Sequence, residues 1–483
     1  MGLHDRIKGS APAGEPSAWS GGAPAPVASQ DAPGRPGAVD PYAELKTRIH
    51  HACIATLGQE LFRNETTEDL SDRVLRSVTE QLALDRTPLT REERRQLVGD
   101  ISDDILGYGP LEPLLRDDSV SEVMVNGFDC IYVERNGRLE RAKSAFVDNA
   151  HVLRIIDKIV SQVGRRIDEA SPMVDARLPD GSRVNAIIPP LSLRGPVLTI
   201  RKFARDPYTV DDLITFGTLS AKSAQFLSAC VRGKLNILIS GGTGTGKTTM
   251  LNGLSAFIPA SERIVTIEDA AELQLQQDHV VTLESRPPNV EGHGEVRIRE
   301  LVRNALRMRP DRIIVGEVRG AETLDMLQAM NTGHEGSLTT IHANTPRDAL
   351  ARLETLVLTA GVDLPLRAIR EQIASAFDLL VQVQRLVDGS RRVTHITEVL
   401  RLESEVIALQ DVFAARPPDE GQPAVAGAAR LLMPLACTGL KPHFLEKLAA
   451  NGVSLSPQFF SSEDDVGSFR PAFAASSFGR GLR

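Results

Sequence analysis

Cysteine is scarce in this chain, and what there is lies scattered. Cys53, Cys130, Cys230 and Cys437 are the only four in 483 residues, and no two form a C-x-x-C pair. Neither a disulfide framework nor a zinc site is indicated. Aromatic residues make up 4% of the chain, with a single tryptophan, so platforms for stacking single-stranded bases are poorly supplied. Positive charge is in the minority: 55 Lys and Arg stand against 63 Asp and Glu, a net charge of −8. That balance argues against a bulk DNA or RNA binder, which needs basic surface, though it leaves room for a narrow basic channel. There is no run of about 18 apolar residues, so no membrane span is expected. The start, Met1-Gly2-Leu3-His4-Asp5-Arg6, lacks the apolar core of a signal peptide. The expected location is the cytoplasm, with docking on a membrane protein still open to it.

The positive signal is concentrated in residues 235–249. Leu235 to Ile239 reads as a buried strand. Gly241-Gly242-Thr243-Gly244-Thr245-Gly246-Lys247-Thr248-Thr249 follows, and Met250 to Ile258 can form a helix. This is G-x-x-x-x-G-K-[ST] in the strand–loop–helix setting that a phosphate-binding loop requires. A polyphosphate needs several backbone N–H groups aimed at it, and only a loop with little side-chain bulk wraps it closely enough. The helix N-terminus adds partial positive charge. Lys247 is then expected to reach the β and γ phosphates of a nucleotide, and the Thr248 hydroxyl to ligate Mg²⁺.

Around this loop the chain divides by composition. Residues 1–40 are mostly Ala, Pro, Gly and Ser, cannot bury enough surface to offset their ordering entropy, and read as a disordered tail that holds Trp19. Residues 41–106 show apolar positions at helical spacing over 42–63, 66–84 and 90–106, the last opened by Thr90 and two acids, and read as a three-helix bundle. Residues 107–205 read as an α+β domain, with strands at 122–127, 130–134, 174–178, 183–188 and 197–203 and a helix at 149–163. Asn136-Gly137 and Pro179-Asp180-Gly181-Ser182 supply its turns. A linker at Asp206-Pro207 leads to helices at 210–214 and 220–231. The nucleotide domain then runs over 206–415, with strands and helices alternating from 235 to about 350 as in a parallel sheet with crossover helices. Residues 416–483 read as a variable tail with a short helical stretch at 443–450.

Acidic residues stand where such a sheet places its ligand crevice, at strand C-termini. Glu268 and Asp269 close the strand 263–267, and Glu317 follows the strand 312–316. Carboxylates there can hold a metal-bound water or polarise the attacking one. His342 closes a further strand, and His334 lies just upstream in Thr332-Gly-His-Glu-Gly-Ser337. Charge that builds on the γ-phosphoryl oxygens calls for arginine. Arg183, Arg194 and Arg201, on or beside strands of the preceding domain, are candidates for it.

Taken together, these segments resemble the secretion-ATPase superfamily (type II/IV secretion). Glu268-Asp-Ala-Ala-Glu-Leu273 resembles its Asp box, Arg312-Ile-Ile-Val-Gly-Glu-Val-Arg-Gly320 its Walker B, and Thr332-Gly-His through Thr-Ile-His-Ala-Asn344 its His box. Leu283-Glu-Ser-Arg-Pro-Pro-Asn289, Arg303 to Asp311 and Gly107-Tyr-Gly-Pro-Leu-Glu-Pro-Leu114 look like the CpaF/TadA branch, the motor of tight-adherence (Flp) pili. The likeness spans about 41–415. It implies an α/β fold, a RecA-like P-loop ATPase domain preceded by a small helical bundle and an α+β (PAS-like) domain. It also implies a Mg²⁺-dependent, ATP-hydrolysing homohexamer, peripheral at the inner face of the cytoplasmic membrane, working on inner-membrane platform proteins with no direct nucleic acid. By position, Gly241, Gly242, Thr243, Gly244, Thr245, Gly246, Lys247, Thr248 and Thr249 would bind nucleotide, with Thr248 and, through water, Glu317 on Mg²⁺. One of Glu268 and Glu317 would activate water, His334 and His342 would sense nucleotide, and Arg183 and Arg201 would face the γ-phosphate. The tetracysteine zinc module that the type II secretion and pilus-extension branches often carry has no counterpart here, and Ile369 to Ala376 does not read like the retraction-motor signature, two differences that favour the CpaF/TadA branch. Two other classes compete with this reading: a nucleic-acid translocase on the same core, and a non-catalytic scaffold that uses nucleotide to set its oligomeric state.

Overall fold

The structure is a computed structural model that describes residues 42–57, 67–85, 87–135, 137–203, 207–288, 292–415 and 435–461. The expected tail at 1–40 with Trp19, the end of the first helix after residue 57, Asn136, Asp206, the loop at 417–428 and the last twenty residues lie outside them.

Three helices open the described chain: α1 (Ala43–Leu57), α2 (Thr67–Leu84) and α3 (Arg91–Leu106). Leu45, Ile49 and Cys53 of α1 meet Val74, Val78 and Leu82 of α2 and Leu97 and Ile101 of α3 in one apolar core. Helix α3 starts where the sequence signals it, because Thr90 and Glu93 close a reciprocal capping box.

The next unit contains α4 (Glu112–Arg116), β1 (Val120–Asn126), β2 (Ile131–Arg135), β3 (Arg138–Arg141), α5 (Asn149–Gln162), β4 (Met173–Arg177), β5 (Arg183–Ile187) and β6 (Val197–Arg201). Its strands form one antiparallel sheet in the order β3-β2-β1-β6-β5-β4. Helix α5, capped by Asp148, lays Val152, Ile155, Ile156 and Ile159 into the same core as the sheet's Val123, Val125, Ile131 and Leu198. Strand β3 has no counterpart in the sequence reading. All four of its residues are exposed, so it carries no apolar alternation to detect.

The third unit begins with α6 (Val210–Thr215), α7 (Ala221–Arg232), β7 (Ile237–Gly241), α8 (Lys247–Ser255), β8 (Ile264–Glu268) and β9 (Val280–Glu284). It continues through α9 (Ile298–Ala305), β10 (Arg312–Val315), α10 (Glu322–Asn331), β11 (Leu338–Ile341), α11 (Pro346–Thr359) and α12 (Leu366–Ala376). It ends with β12 (Leu379–Arg385), β13 (Arg391–Glu403), β14 (Val406–Ala415), β15 (Leu435–Cys437) and α13 (Leu445–Ala450). The nine-stranded sheet runs β15-β14-β13-β12-β7-β11-β10-β8-β9. From β12 to β9 all neighbours are parallel, and β11 separates β7 from β10. That order makes the core RecA-like. Apolar side chains cover both faces of the sheet in two separate cores, which is why its central strands read as continuous apolar runs.

The antiparallel extension β12 to β15 goes beyond the alternation read up to about 350. Buried polar residues interrupt its pattern: Gln382, Thr394, Thr397 and Glu398 are all inside. The chain continues past the domain end expected at 415. Residues 435–461 belong to the same core: β15 pairs with β14, and Phe444, Phe459 and Phe460 pack around the buried Phe226 of α7. The helical stretch expected at 443–450 is α13, and Lys447 on it bonds Asp378 at 2.9 Å.

Candidate nucleotide site

Strand β7 is buried along its whole length and delivers the glycine-rich loop to the C-terminal edge of the sheet. Gly244 and Gly246 take φ of 70° and 91°, a backbone region that side chains disfavour. A Cβ on Gly241 would lie 2.5 Å from Thr245 Oγ1 and 2.6 Å from Val383 O, so that position is closed to any other residue. The loop bonds itself: Thr245 Oγ1 and Lys247 Nζ each donate to Gly242 O at 2.9 Å. Lys247 is 7% exposed, and burial pulls its ammonium down to about pKa 8 against the attraction of Glu317. A cationic group held in a bare cradle at a helix start suits a polyphosphate. Thr248 and Thr249 line a small cavity of about 160 Å³ beside it, between this loop and the six-stranded sheet.

Three neighbouring strands bring their functional residues to the same edge. Glu268 ends β8, Glu317 follows β10, and His342 follows β11. His342 Nε2 lies 3.0 Å from Glu317 Oε1, and its Nδ1 lies 3.4 Å from Lys247 Nζ. Burial and the Lys247 charge hold the imidazole below its ordinary pKa. Glu268 packs against the chain just before Glu317, for a Cβ on Gly316 would sit 2.8 Å from Glu268 Cγ. Glu268 is 4% exposed and accepts backbone N–H bonds from Glu272 and Leu273 at 3.0 and 3.2 Å. Burial outweighs those bonds and raises its carboxyl to about pKa 7.

Arg183 and Arg201 are cross-strand partners on β5 and β6. Arg183 pairs with Glu272, on the loop after β8, at 3.1 Å, and Arg201 lies between Glu122 at 3.8 Å and Glu272 at 3.9 Å. The charge on Arg201 contributes to the lowered pKa of Lys247. Within one chain, then, the two arginines share the cavity with Thr248 and Thr249. Arg194 does not join them. It lies in the exposed turn before β6. His334 does not reach the loop either. It precedes β11, beside Gly336 and Ser337, whose N–H groups bond Asn236 Oδ1 ahead of β7. That is the opposite edge of the sheet from His342.

Two participants escape the sequence reading. Arg319 Nη2 donates to Glu317 Oε2 at 2.8 Å, and its Nη1 lies 3.7 Å from Asp269. Glu272 is the acid that both sheet arginines meet. Each sits inside a motif quoted for its neighbours, so position in those motifs was the available signal. Among the described residues no group of three or more His, Cys, Asp or Glu suits a metal alone. Mg²⁺ at a phosphate site needs no such cage, because substrate oxygens and water fill most of its shell. Thr248 and Glu317 are the residues that would hold it.

Residues 104–417 match the family described as Type II/IV secretion system protein. A putative conjugal transfer protein of Mycobacterium tuberculosis is 40% identical over 312 residues, 63% of this chain and 88% of that protein. The conjugal transfer protein TrbB of Rhizobium radiobacter is 35% identical over 293 residues, 60% of this chain and 85% of its own. The crystal structure of the VirB11 ATPase from the Brucella suis type IV secretion system, in complex with sulphate, is 29% identical. It aligns over 60% of this chain and 92% of its own with a TM-score of 0.34. The chain belongs to the type II/IV secretion system protein family.

Proposed function

We propose that this chain is a Mg²⁺-dependent ATPase whose hydrolysis drives a secretion or pilus machine from the inner face of the cytoplasmic membrane. The observation that carries this reading is the meeting of Lys247, His342, Glu317 and Glu268 at one sheet edge, with Arg183 and Arg201 across a narrow cavity. Lys247 and the loop N–H groups hold the β and γ phosphates, and Thr248 and Glu317 position the metal. Glu268 takes the proton of the attacking water, a task suited to a carboxyl that titrates near neutrality. His342 links the phosphate end of Lys247 to Glu317 and senses occupancy. Arg183 and Arg201 stabilise charge on the transferring group when Glu272 releases them.

The finer assignment is a homohexameric motor of the CpaF/TadA branch, acting on inner-membrane platform proteins of a tight-adherence pilus. The branch motifs at 107–114, 283–289 and 303–311 support it. The relatives described as conjugal transfer proteins favour a second reading, a secretion channel in place of a pilus. Phosphate release by purified protein with and without Mg²⁺ tests the activity. No release at saturating MgATP overturns it. Sedimentation with a non-hydrolysable ATP analogue tests the ring, and a monomer under those conditions removes it. Co-purification with a pilus platform protein or with conjugative channel components separates the two machines.

A further inference from the structure

Turning a phosphate loop's N–H groups towards its ligand turns carbonyls the other way, where water or a side-chain donor meets them. Gly242 O is served from within the loop. Gly244 O, at the exposed apex, is served from far away in sequence: Arg391 Nε donates to it at 3.0 Å. The Arg391 side chain then runs along the loop, with Cδ 3.2 Å from where a Cβ on Gly246 would be. Arg391 opens β13, and its cross-strand partner is Arg385, the last residue of β12. Arg385 Nη1 lies 3.6 Å from the Cβ position of Gly244, and its Nη2 donates at 2.7 Å to Gly137 O in the β2–β3 turn of the other sheet.

We propose that Arg385 and Arg391 form an arginine clamp on the outer side of the phosphate loop. Arg391 is a positioning residue that keeps the loop's N–H groups facing inwards, and Arg385 ties the same apex to the six-stranded sheet. The clamp rests on the nucleotide-site reading and extends it. The loop's affinity for polyphosphate is set partly by a hairpin outside the segments 235–249, 268–273, 312–320 and 332–344, and the state of the loop is passed to the β2–β3 turn.

The test is equilibrium binding of ADP and of inorganic tripolyphosphate to the full chain and to Arg391→Ala and Arg391→Lys. One charge-assisted bond at an exposed site corresponds to about a fivefold loss. Arg391→Ala is expected to weaken both ligands by about that factor and equally, since the change lies in the phosphate cradle. Arg391→Lys recovers part of the loss. Unchanged affinity in Arg391→Ala, or a loss confined to ADP, overturns the clamp. Amide exchange reads the second arm: nucleotide protects the Gly137 turn in the parent and not in Arg385→Ala, and equal protection in both overturns the tie. A parent protein that binds neither ligand overturns the nucleotide-site reading itself.

Discussion

Arg183 Nη1 lies 3.1 Å from Glu272 Oε1, an ion pair that joins the six-stranded sheet to the loop after β8. It holds a cation at the mouth of the crevice without spending it on substrate. Removing that cation should affect transfer more than binding. Arg183→Ala or Arg201→Ala is expected to lower kcat by about a hundredfold or more with ATP affinity changed only severalfold. Steady-state and equilibrium binding assays on the same preparations check it. A loss in affinity alone would assign the arginines to ground-state binding.

Lys247 is a buried cation with its pKa lowered to about 8, so the folded state binds its proton less well than the unfolded state does. Stability therefore rises with pH between about 8 and the ordinary lysine value, where the unfolded chain carries the extra proton. Lys247→Met should raise Tm at pH 7, abolish hydrolysis and remove the stabilisation that ADP gives the parent. Thermal melts with and without ADP decide it. A variant that melts lower would show Lys247 to be a structural cation.

Glu268 is displaced upwards, to about 7, because it is buried. Its folded form keeps a proton that the unfolded form has released, so stability declines as pH rises from about 4.5 to 7. Glu268→Gln should flatten that decline, read from urea unfolding at several pH values. In the parent, kcat/KM should fall on the acid side of about pH 7 as the proposed base of the free enzyme becomes protonated. A kcat/KM level from pH 6 to 8 would move the base role to Glu317.

Phe226 is fully buried among Phe413, Phe444, Phe459 and Phe460. Phe460→Ala is expected to cost about 3–4 kcal/mol of unfolding free energy, the usual range for emptying a buried aromatic site. Ending the chain at residue 415 should yield an aggregating product, since it bares that cluster and the edge of β14. Denaturant unfolding and size-exclusion chromatography measure the two effects.

The phosphate loop, Glu268, Glu317 and His342 were legible because each ends a short apolar run, and strand ends of a parallel sheet converge on one edge. Arg183 and Arg201 were legible as residues, but their meeting with Glu272 depends on how two domains pack, and no local pattern records that. His334 looked equivalent to His342 in the linear motif. The four-residue strand β11 between them carries the two to opposite edges. The helix at 443–450 was legible, but the antiparallel extension and the packing of 435–461 on it stayed hidden because polar side chains buried in β12 and β13 break the alternation, and because the low-complexity stretch before residue 435 masks the return of the chain.

Asn236 gives the sheet unequal ends. Its Oδ1 takes the N–H groups of Gly336 and Ser337, and its Nδ2 bonds Ala376 O at 2.7 Å, so β7, β11 and β12 are stapled together at the edge remote from the phosphates. One side chain thus fixes the relative register of three strands at their N-terminal ends and leaves their C-terminal ends, which carry the phosphate loop and His342, without such a staple from it.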